Sequence, residues 1–209
     1  MKKLLSVLVM TATVLLISLV PTNSMAKTND VHSASNKRNS KGELLHIVKS
    51  NESVEDIAVY YGVPLEDLKE KNKIENNKIE AGTVLTLPKT LTSQEKDLMA
   101  RLVQAEAKGE PYQGKVAVAN VVLNRVESEK FPDTIGKVIN AKGQFTPVAN
   151  GAIKKPASKE SKKAVNEAIA LKEKGTDATF FYNPKLTNDK WIKSLKVVER
   201  IGSHNFSIS

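Results

Sequence analysis

Apolar positions between residues 44 and 88 follow two different periods. The segments LLHIVKS and AGTVLTLP predict short strands, and the region between them has apolar residues at helical spacing. A first helix is predicted from Ser53, which can cap it, to Gly62, and a second helix follows with Leu65 and Leu68 on its apolar face. This part of the chain therefore predicts the order strand, helix, helix, strand.

A second periodic region begins at Thr92, where the sequence TSQE has the form of a capping box. Two leucines at helical spacing precede Glu106 on the same face of the helix. The carboxylate of Glu106 is therefore predicted to lie at the end of an apolar face. A glycine and a proline flank Glu110, so the helix is predicted to end before it. We expect Glu106 to be partly buried and Glu110 to be solvated in a loop.

The stretch KVAVANVVLNRV after these glutamates supports two interpretations. Its β-branched residues favour a strand, whereas its length, its alanines and the spacing of Val118, Val121, Val122 and Arg125 favour a buried helix. We interpret it as a core helix against which the Glu106 helix packs. Residues 159–174 predict a further helix, with its lysines facing solvent.

The N-terminal segment has the order of a secretory signal. Two lysines precede an apolar run from Leu4 to Val20, and Ser24-Met25-Ala26 resembles a cleavage site. Residues 1–26 are therefore predicted to be a signal peptide. The alternative is an uncleaved membrane anchor, which would be the chain's only membrane attachment, although the run is short and interrupted by polar residues. Residues 27–43 are polar and predict a disordered linker, in which His32 has no specific role.

Charge and composition narrow the choice of partner. The formal net charge is +9, and the chain has no cysteine, which excludes disulfides and thiolate metal sites. Residues 44–88 have an acidic surplus and residues 95–209 a basic one, but the lysines are scattered and aromatic residues are few. A nucleic-acid partner is therefore not expected. An anionic wall polymer fits an exported basic protein better.

Glu106 is the candidate for proton chemistry. Burial raises the pKa of a carboxyl, because the charged form loses solvation, and a raised pKa suits a general acid. The alternative is a structural glutamate that forms an ion pair with Arg101 or Arg125. The residue pattern alone leaves both interpretations open.

The segment from residue 44 to residue 88 resembles the LysM carbohydrate-binding module. The resemblance rests on HIVKSNESVEDIAVYYGVPLEDLKEKN and IEAGTVLTLP. It implies a βααβ fold whose two loops bind N-acetylglucosamine units and which tethers the chain to glycan. The sequence departs from the family at His46, where Tyr is usual, and at Asn51-Glu52, where Gly-Asp is usual. The alternative is a small helical spacer without a ligand.

Residues 95–209, after a connector at 89–94, resemble the catalytic domain of the bacterial spore cortex-lytic, cell wall hydrolase family. The resemblance rests on ARLVQAEAKGEPYQGKVAVANVVLNRV, FPDTIGKVI, GQFTPVANG, ATFFYNP, KWI and IGSHNF, in the family's order. It implies a mainly helical, lysozyme-like or lytic-transglycosylase-like domain, so the whole chain is predicted to be α+β. It also implies that Glu106 is the catalytic acid.

The implied reaction cleaves the β-1,4 bond between N-acetylmuramic acid and N-acetylglucosamine in peptidoglycan, with spore cortex as one possible substrate. In lytic transglycosylases a single glutamate protonates the glycosidic oxygen. The sugar's own 6-hydroxyl then captures the oxocarbenium-like centre, which leaves a 1,6-anhydro end. One carboxyl with a raised pKa is enough for this scheme. A hydrolytic scheme normally needs a second carboxylate.

Further polar and aromatic residues suit a sugar-binding groove. Gln144 and Thr146, which flank Phe145, and Tyr182 with Asn183 are candidate substrate-binding residues, and Trp191 is a candidate for stacking on a sugar ring. The alternative for Phe145, Phe180 and Trp191 is a place in the core. We expect His204 to bond a backbone group rather than to act in catalysis.

Two other functions remain open at this point. A zinc amidase needs about three protein ligands, whereas His32, His46 and His204 lie in three different segments, so no metal or other cofactor is predicted. A wall-binding protein without activity is the second alternative. The predicted location is outside the cell, in the wall or the spore envelope.

Overall fold

The computed structural model describes residues 37–209, and within them the chain forms two packed modules. The predicted signal peptide and most of the predicted linker lie outside the described residues. None of the helices in the described range is both long enough and apolar enough to cross a membrane. The last residues of the predicted linker are ordered, because the Asn39 side chain accepts hydrogen bonds from the backbone N–H groups of Lys41 and Glu43.

The first module has the predicted strand–helix–helix–strand order. Its elements are β1 (Leu45–Ile47), α1 (Val54–Tyr61), α2 (Leu65–Asn72) and β2 (Val84–Thr86). The two strands pair antiparallel, with His46 opposite Leu85. Ser53 and Asp56 form a reciprocal capping box at the start of α1, and Gly62 ends this helix in the left-handed conformation, as predicted.

The second module is mainly helical, with one small sheet. Its helices are α3 (Ser93–Glu106), α4 (Tyr112–Glu127), α5 (Ile135–Asn140), α6 (Thr146–Ala149), α7 (Lys159–Ala170) and α8 (Lys190–Ser194), and its strands are β3 (Phe180–Tyr182), β4 (Lys196–Ile201) and β5 (His204–Ile208). Single 3₁₀ turns lie at Ala152–Lys154 and Lys172–Lys174. The strands form an antiparallel sheet in the order β3-β5-β4. The predicted α+β class is confirmed.

The helix interpretation of KVAVANVVLNRV is confirmed. This stretch lies within α4, and Val118, Val121 and Val122 are buried in the core of the second module, where α3 and α7 pack against α4. Burial of a continuous apolar surface outweighs the β-propensity of the valines. The helix predicted over residues 159–174 is shorter than expected, since α7 ends at Ala170 and a 3₁₀ turn follows.

Candidate active site

One groove in the second module, with a volume of about 870 Å³, is lined by residues from several separate elements. The six residues predicted for the site all lie along it: Glu106, Gln144, Thr146, Tyr182, Asn183 and Trp191. They come from the end of α3, the turn before α6 and the first residue of that helix, β3 with the turn after it, and α8. The fold therefore brings these side chains together, and their individual roles remain predictions.

Glu106 is the last residue of α3 and is half-buried at the groove. Burial raises the pKa of its carboxyl above the ordinary value of 4.5. Within the part of the chain that the structure describes, this carboxylate has no ion pair or hydrogen bond. The ion-pair alternative is wrong: Arg101 bonds Asp97 at 2.6 Å, and Arg125 makes its contacts elsewhere.

Glu110 lies in the loop between α3 and α4, as predicted, but it is not simply solvated. It is half-buried, and its carboxylate accepts a hydrogen bond from the Ser203 backbone N–H at 2.8 Å and another from the Ser203 hydroxyl. Burial pushes the Glu110 pKa upward, but the two hydrogen bonds and the nearby positive charge of Lys115 together outweigh it, and the pKa is lowered. Glu110 therefore clamps the turn between β4 and β5.

The clamp leaves no room for a side chain at Gly202. This residue has φ of 56°, and a Cβ atom added to it would collide with the Glu110 carboxylate and with the ring of Pro111. Both the left-handed backbone and the close approach of Glu110 require glycine at this turn.

The clamped turn leads directly into β5, which contributes to the groove. His204, the first residue of β5, is buried at the groove and packs edge-on against Phe181, with ring centroids 5.4 Å apart. The prediction that His204 bonds a backbone group is wrong for its buried Nδ1, which has no hydrogen-bond partner within residues 37–209. Burial lowers the His204 pKa, although the Glu110 carboxylate opposes this, so the neutral ring is favoured. The next residue, Asn205, donates to the Tyr182 hydroxyl at 3.2 Å.

Arg125 is a groove residue whose role the sequence did not indicate. Its guanidinium lies near the rings of Phe131, Phe145 and Phe180, 4.9 to 5.3 Å from their centroids. Its Nε donates to the backbone carbonyl of Thr179 at 2.7 Å, and its NH1 donates to Gln144 Oε1 at 3.0 Å. Burial lowers its pKa to about 10, so it stays charged at neutral pH.

The bond from Arg125 determines how Gln144 faces the groove. A guanidinium has only donors, so it must take the oxygen of the Gln144 amide and leave the NH₂ group for a ligand. An NH₂ group that points into a groove binds acceptors, such as the carbonyl oxygen of an N-acetyl group. A cation on the apolar face of α4 was the available sequence signal for this arrangement.

The remaining groove residues differ in exposure. Trp191 is 55% exposed and meets the Phe180 ring edge-on at 5.3 Å, so the core alternative is wrong for Trp191. The same alternative is confirmed for Phe145, which is 4% exposed. Asp189 is the other side-chain carboxylate at the groove among the described residues. It caps α8 by accepting hydrogen bonds from the backbone N–H groups of Trp191 and Ile192, in the first turn of the helix.

The first module has a second group of interacting polar residues where its sequence departs from the LysM pattern. His46 Nε2 lies 2.8 Å from Glu52 Oε2, and its Nδ1 lies 3.1 Å from the Tyr61 hydroxyl. Glu52 also accepts the Lys49 backbone N–H at 2.8 Å. Asn51, at the position where glycine is usual, has φ of 67°, which asparagine tolerates better than most residues. The two departures are therefore compatible with one ordered loop.

Comparison with known proteins agrees with the two-module division. Residues 46–88 match the LysM domain, and residues 109–207 match the family described as Cell Wall Hydrolase. Glu106 lies just before the second matched range.

Relatives and solved structures extend this match. The chain is 39% identical to the spore cortex-lytic enzyme of Bacillus cereus over 137 residues. This aligned stretch covers 66% of this chain and 51% of that protein. It is also similar to the catalytic domain of the Bacillus cereus SleB protein, at 39% identity and a TM-score of 0.52, over 58% of this chain and 94% of that one. The catalytic domain of the germination-specific lytic transglycosylase SleB from Bacillus anthracis matches at 38% identity and a TM-score of 0.53, over 58% and 99% of the two chains.

The chain therefore belongs to the cell wall hydrolase family, with a LysM domain ahead of its hydrolase domain. It spans about half the length of the Bacillus cereus enzyme.

Proposed function

We propose that this protein is exported and cleaves the glycan strands of peptidoglycan as a lytic transglycosylase, with spore cortex as its substrate. The observation that carries the proposal is the Glu106 carboxyl, which is half-buried at a groove, has a raised pKa and has no partner among the described residues. The names of the relatives support the choice of substrate.

In the proposed reaction, Glu106 acts first as acid and then as base. Its proton passes to the glycosidic oxygen between N-acetylmuramic acid and N-acetylglucosamine as the C1–O bond breaks. The 6-hydroxyl of the same muramoyl residue then attacks C1, and its proton returns to the Glu106 carboxylate. The products are a free 4-hydroxyl and a 1,6-anhydro-muramoyl end, and no water is consumed.

The surroundings of Glu106 suit a one-carboxyl scheme better than a hydrolytic one. Hydrolysis normally uses a second carboxylate to activate water or to attack the sugar. Asp189 is committed to capping α8, and Glu110 is bonded to Ser203. Neither carboxylate is free to act as that second group.

The other groove residues are assigned to substrate binding. Gln144 presents its NH₂ group to the carbonyl of an N-acetyl group, and Trp191 offers an exposed ring to a sugar face. Tyr182, Asn183 and Thr146 supply hydroxyl and amide groups along the same groove. No metal or cofactor enters this scheme.

Mass spectrometry of the soluble fragments released from purified spore cortex and from vegetative peptidoglycan tests the proposal. We expect anhydro-muramoyl ends from the parent protein and none from Glu106→Gln. Reducing muramic ends would indicate hydrolysis instead, free peptides would indicate an amidase, and no release from either material would indicate a wall-binding protein. Each of these three results would overturn the proposed reaction.

A further inference from the structure

The interface between the two modules is built from the end of one helix. The last carbonyl groups of an α-helix have no partner inside the helix. At the end of α1 in the LysM module, three consecutive backbone carbonyls accept hydrogen bonds from side chains that lie outside that module. Asn166 donates to the Tyr60 carbonyl at 3.0 Å, Lys96 to the Tyr61 carbonyl at 2.7 Å, and Thr90 to the Gly62 carbonyl at 2.7 Å.

These three donors come from three different parts of the chain. Thr90 lies in the connector, Lys96 on α3 and Asn166 on α7. The last turn of α1 has no basic residue of its own, so Lys96 supplies the cation that the negative end of its dipole favours. Burial lowers the pKa of Lys96 to about 8, which agrees with an amine held largely out of water at this interface.

Apolar packing accompanies the polar contacts. Ala170, the last residue of α7, is 4% exposed and belongs to the hydrophobic cluster of the LysM module, and Leu171 packs against the same cluster. Gly62 is also buried against α7, since a Cβ atom added there would lie 2.5 Å from Asn166 Oδ1. An ion pair between Lys174 and Glu55 lies at the exposed edge of the contact.

Three consecutive residues of the connector between the modules are held in place by contacts. Thr90 is bonded to Gly62, Leu91 packs against the core of the hydrolase domain, and Thr92 caps α3. A freely moving tether needs residues without such contacts.

We infer that the LysM module is docked on the hydrolase domain as a fixed arm, through capture of the carbonyl end of α1 by Thr90, Lys96 and Asn166. A flexible tether only raises the local concentration of substrate. A fixed arm also holds the glycan at one register relative to the groove, and this consequence rests on the proposed function.

Distance measurements between spin labels test the docking directly. Because the sequence contains no cysteine, the labels attach only to the cysteines that are introduced. The labels are placed at Glu70→Cys on α2 and Glu129→Cys after α4, which are both exposed. We expect one narrow distance distribution in the parent chain and a severalfold broader one in Lys96→Ala/Asn166→Ala. Lys174→Ala is the matched control, because it removes only the contact at the exposed edge, and its distribution should stay narrow.

Two results would overturn the docking. One is a broad distribution in the parent chain, and the other is an unchanged narrow distribution in the double variant. Circular dichroism of the double variant, together with binding of chitin oligosaccharides, checks that its LysM module is still folded.

A second measurement tests the register. The double variant with a flexible Gly-Ser insertion after Pro88 should release glycan fragments with a broader range of lengths than the parent. An equal range from the two proteins would contradict a fixed register. If the parent releases no fragments, the proposed function fails, whereas the distance measurements still decide the docking.

Discussion

The end of α3 and the loop that follows it place two glutamates, four residues apart, in opposite situations. Glu106 loses water without gaining a partner, so its pKa is raised. Glu110 also loses some water, but Ser203 gives it two hydrogen bonds and its pKa is lowered. Partial burial alone therefore does not mark a catalytic carboxyl, because the partner that replaces water determines the protonation state.

The opposite pKa shifts suit Glu106 and Glu110 to different roles. A carboxyl that holds its proton more tightly than usual can act as an acid, whereas an ionised carboxylate that accepts two hydrogen bonds can hold a turn in place. The turn held by Glu110 leads into His204, which lines the groove, and into Asn205, which donates to the hydroxyl of the groove residue Tyr182. We therefore expect Glu110 to act as a positioning residue for the start of β5, where His204 lines the groove.

The largest expected effect is on the rate of cleavage. In the proposed reaction, Glu106→Gln removes the proton that the leaving oxygen takes up, and we expect the rate of fragment release to fall by about 10²–10⁴-fold. The matched control is Glu127→Gln, which changes an exposed glutamate that is paired with Lys172, and it should keep the parent rate. A Glu106→Gln protein that stays within tenfold of the parent would remove Glu106 from the mechanism.

The pH dependence should separate the two carboxyls next. General-acid catalysis needs the protonated form, so we expect cleavage to fall about tenfold per pH unit above the raised pKa of Glu106. Side-chain ¹³C NMR titration measures both groups directly. One glutamate should titrate above 4.5 and disappear from the spectrum in Glu106→Gln, and another should titrate below 4.5 and disappear in Glu110→Gln. A reversed assignment would refute the comparison.

The same two substitutions should change stability in opposite directions. A raised folded-state pKa means that stability falls as pH rises from 4.5 through the raised value, so at neutral pH the ionised Glu106 destabilises the fold. Glu106→Gln is therefore expected to be more stable than the parent at pH 7. For Glu110 the lowered pKa means that its contribution is present above 4.5 and is lost as pH falls through the folded-state value.

We expect Glu110→Gln to lower the free energy of unfolding by about 1 kcal/mol at pH 7, because a neutral amide is a weaker acceptor for Ser203. Urea unfolding at pH 7 and at pH 3.5 measures both changes, and the difference from the parent should shrink at the lower pH in each variant. Shifts of the same sign at pH 7 would contradict the opposite environments.

Sequence reasoning predicted the local features of this region but not the contacts between distant segments. The capping box of α3, the end of the helix before Glu110 and the partial burial of Glu106 all follow from residues close together in the chain. The bond from Ser203 to Glu110 joins positions 93 residues apart, and the bond from Arg125 to Gln144 depends on how the turn before α6 packs against α4. Periodicity specifies which face of a helix is apolar, but it does not specify which partner meets a polar side chain.

The smallest expected effect concerns the hydroxyl of the Glu110 clamp. Ser203→Ala removes one of the two hydrogen bonds but keeps the backbone N–H at 2.8 Å, so Glu110 stays ionised and bonded. We expect a loss of about 0.5 kcal/mol in the free energy of unfolding, less than for Glu110→Gln, since the site is partly exposed. Urea unfolding measures it, with Ser93→Ala, at an exposed position in the first turn of α3, as the control. A loss as large as that of Glu110→Gln would mean that the hydroxyl alone holds the turn, and no loss would mean that the backbone N–H does.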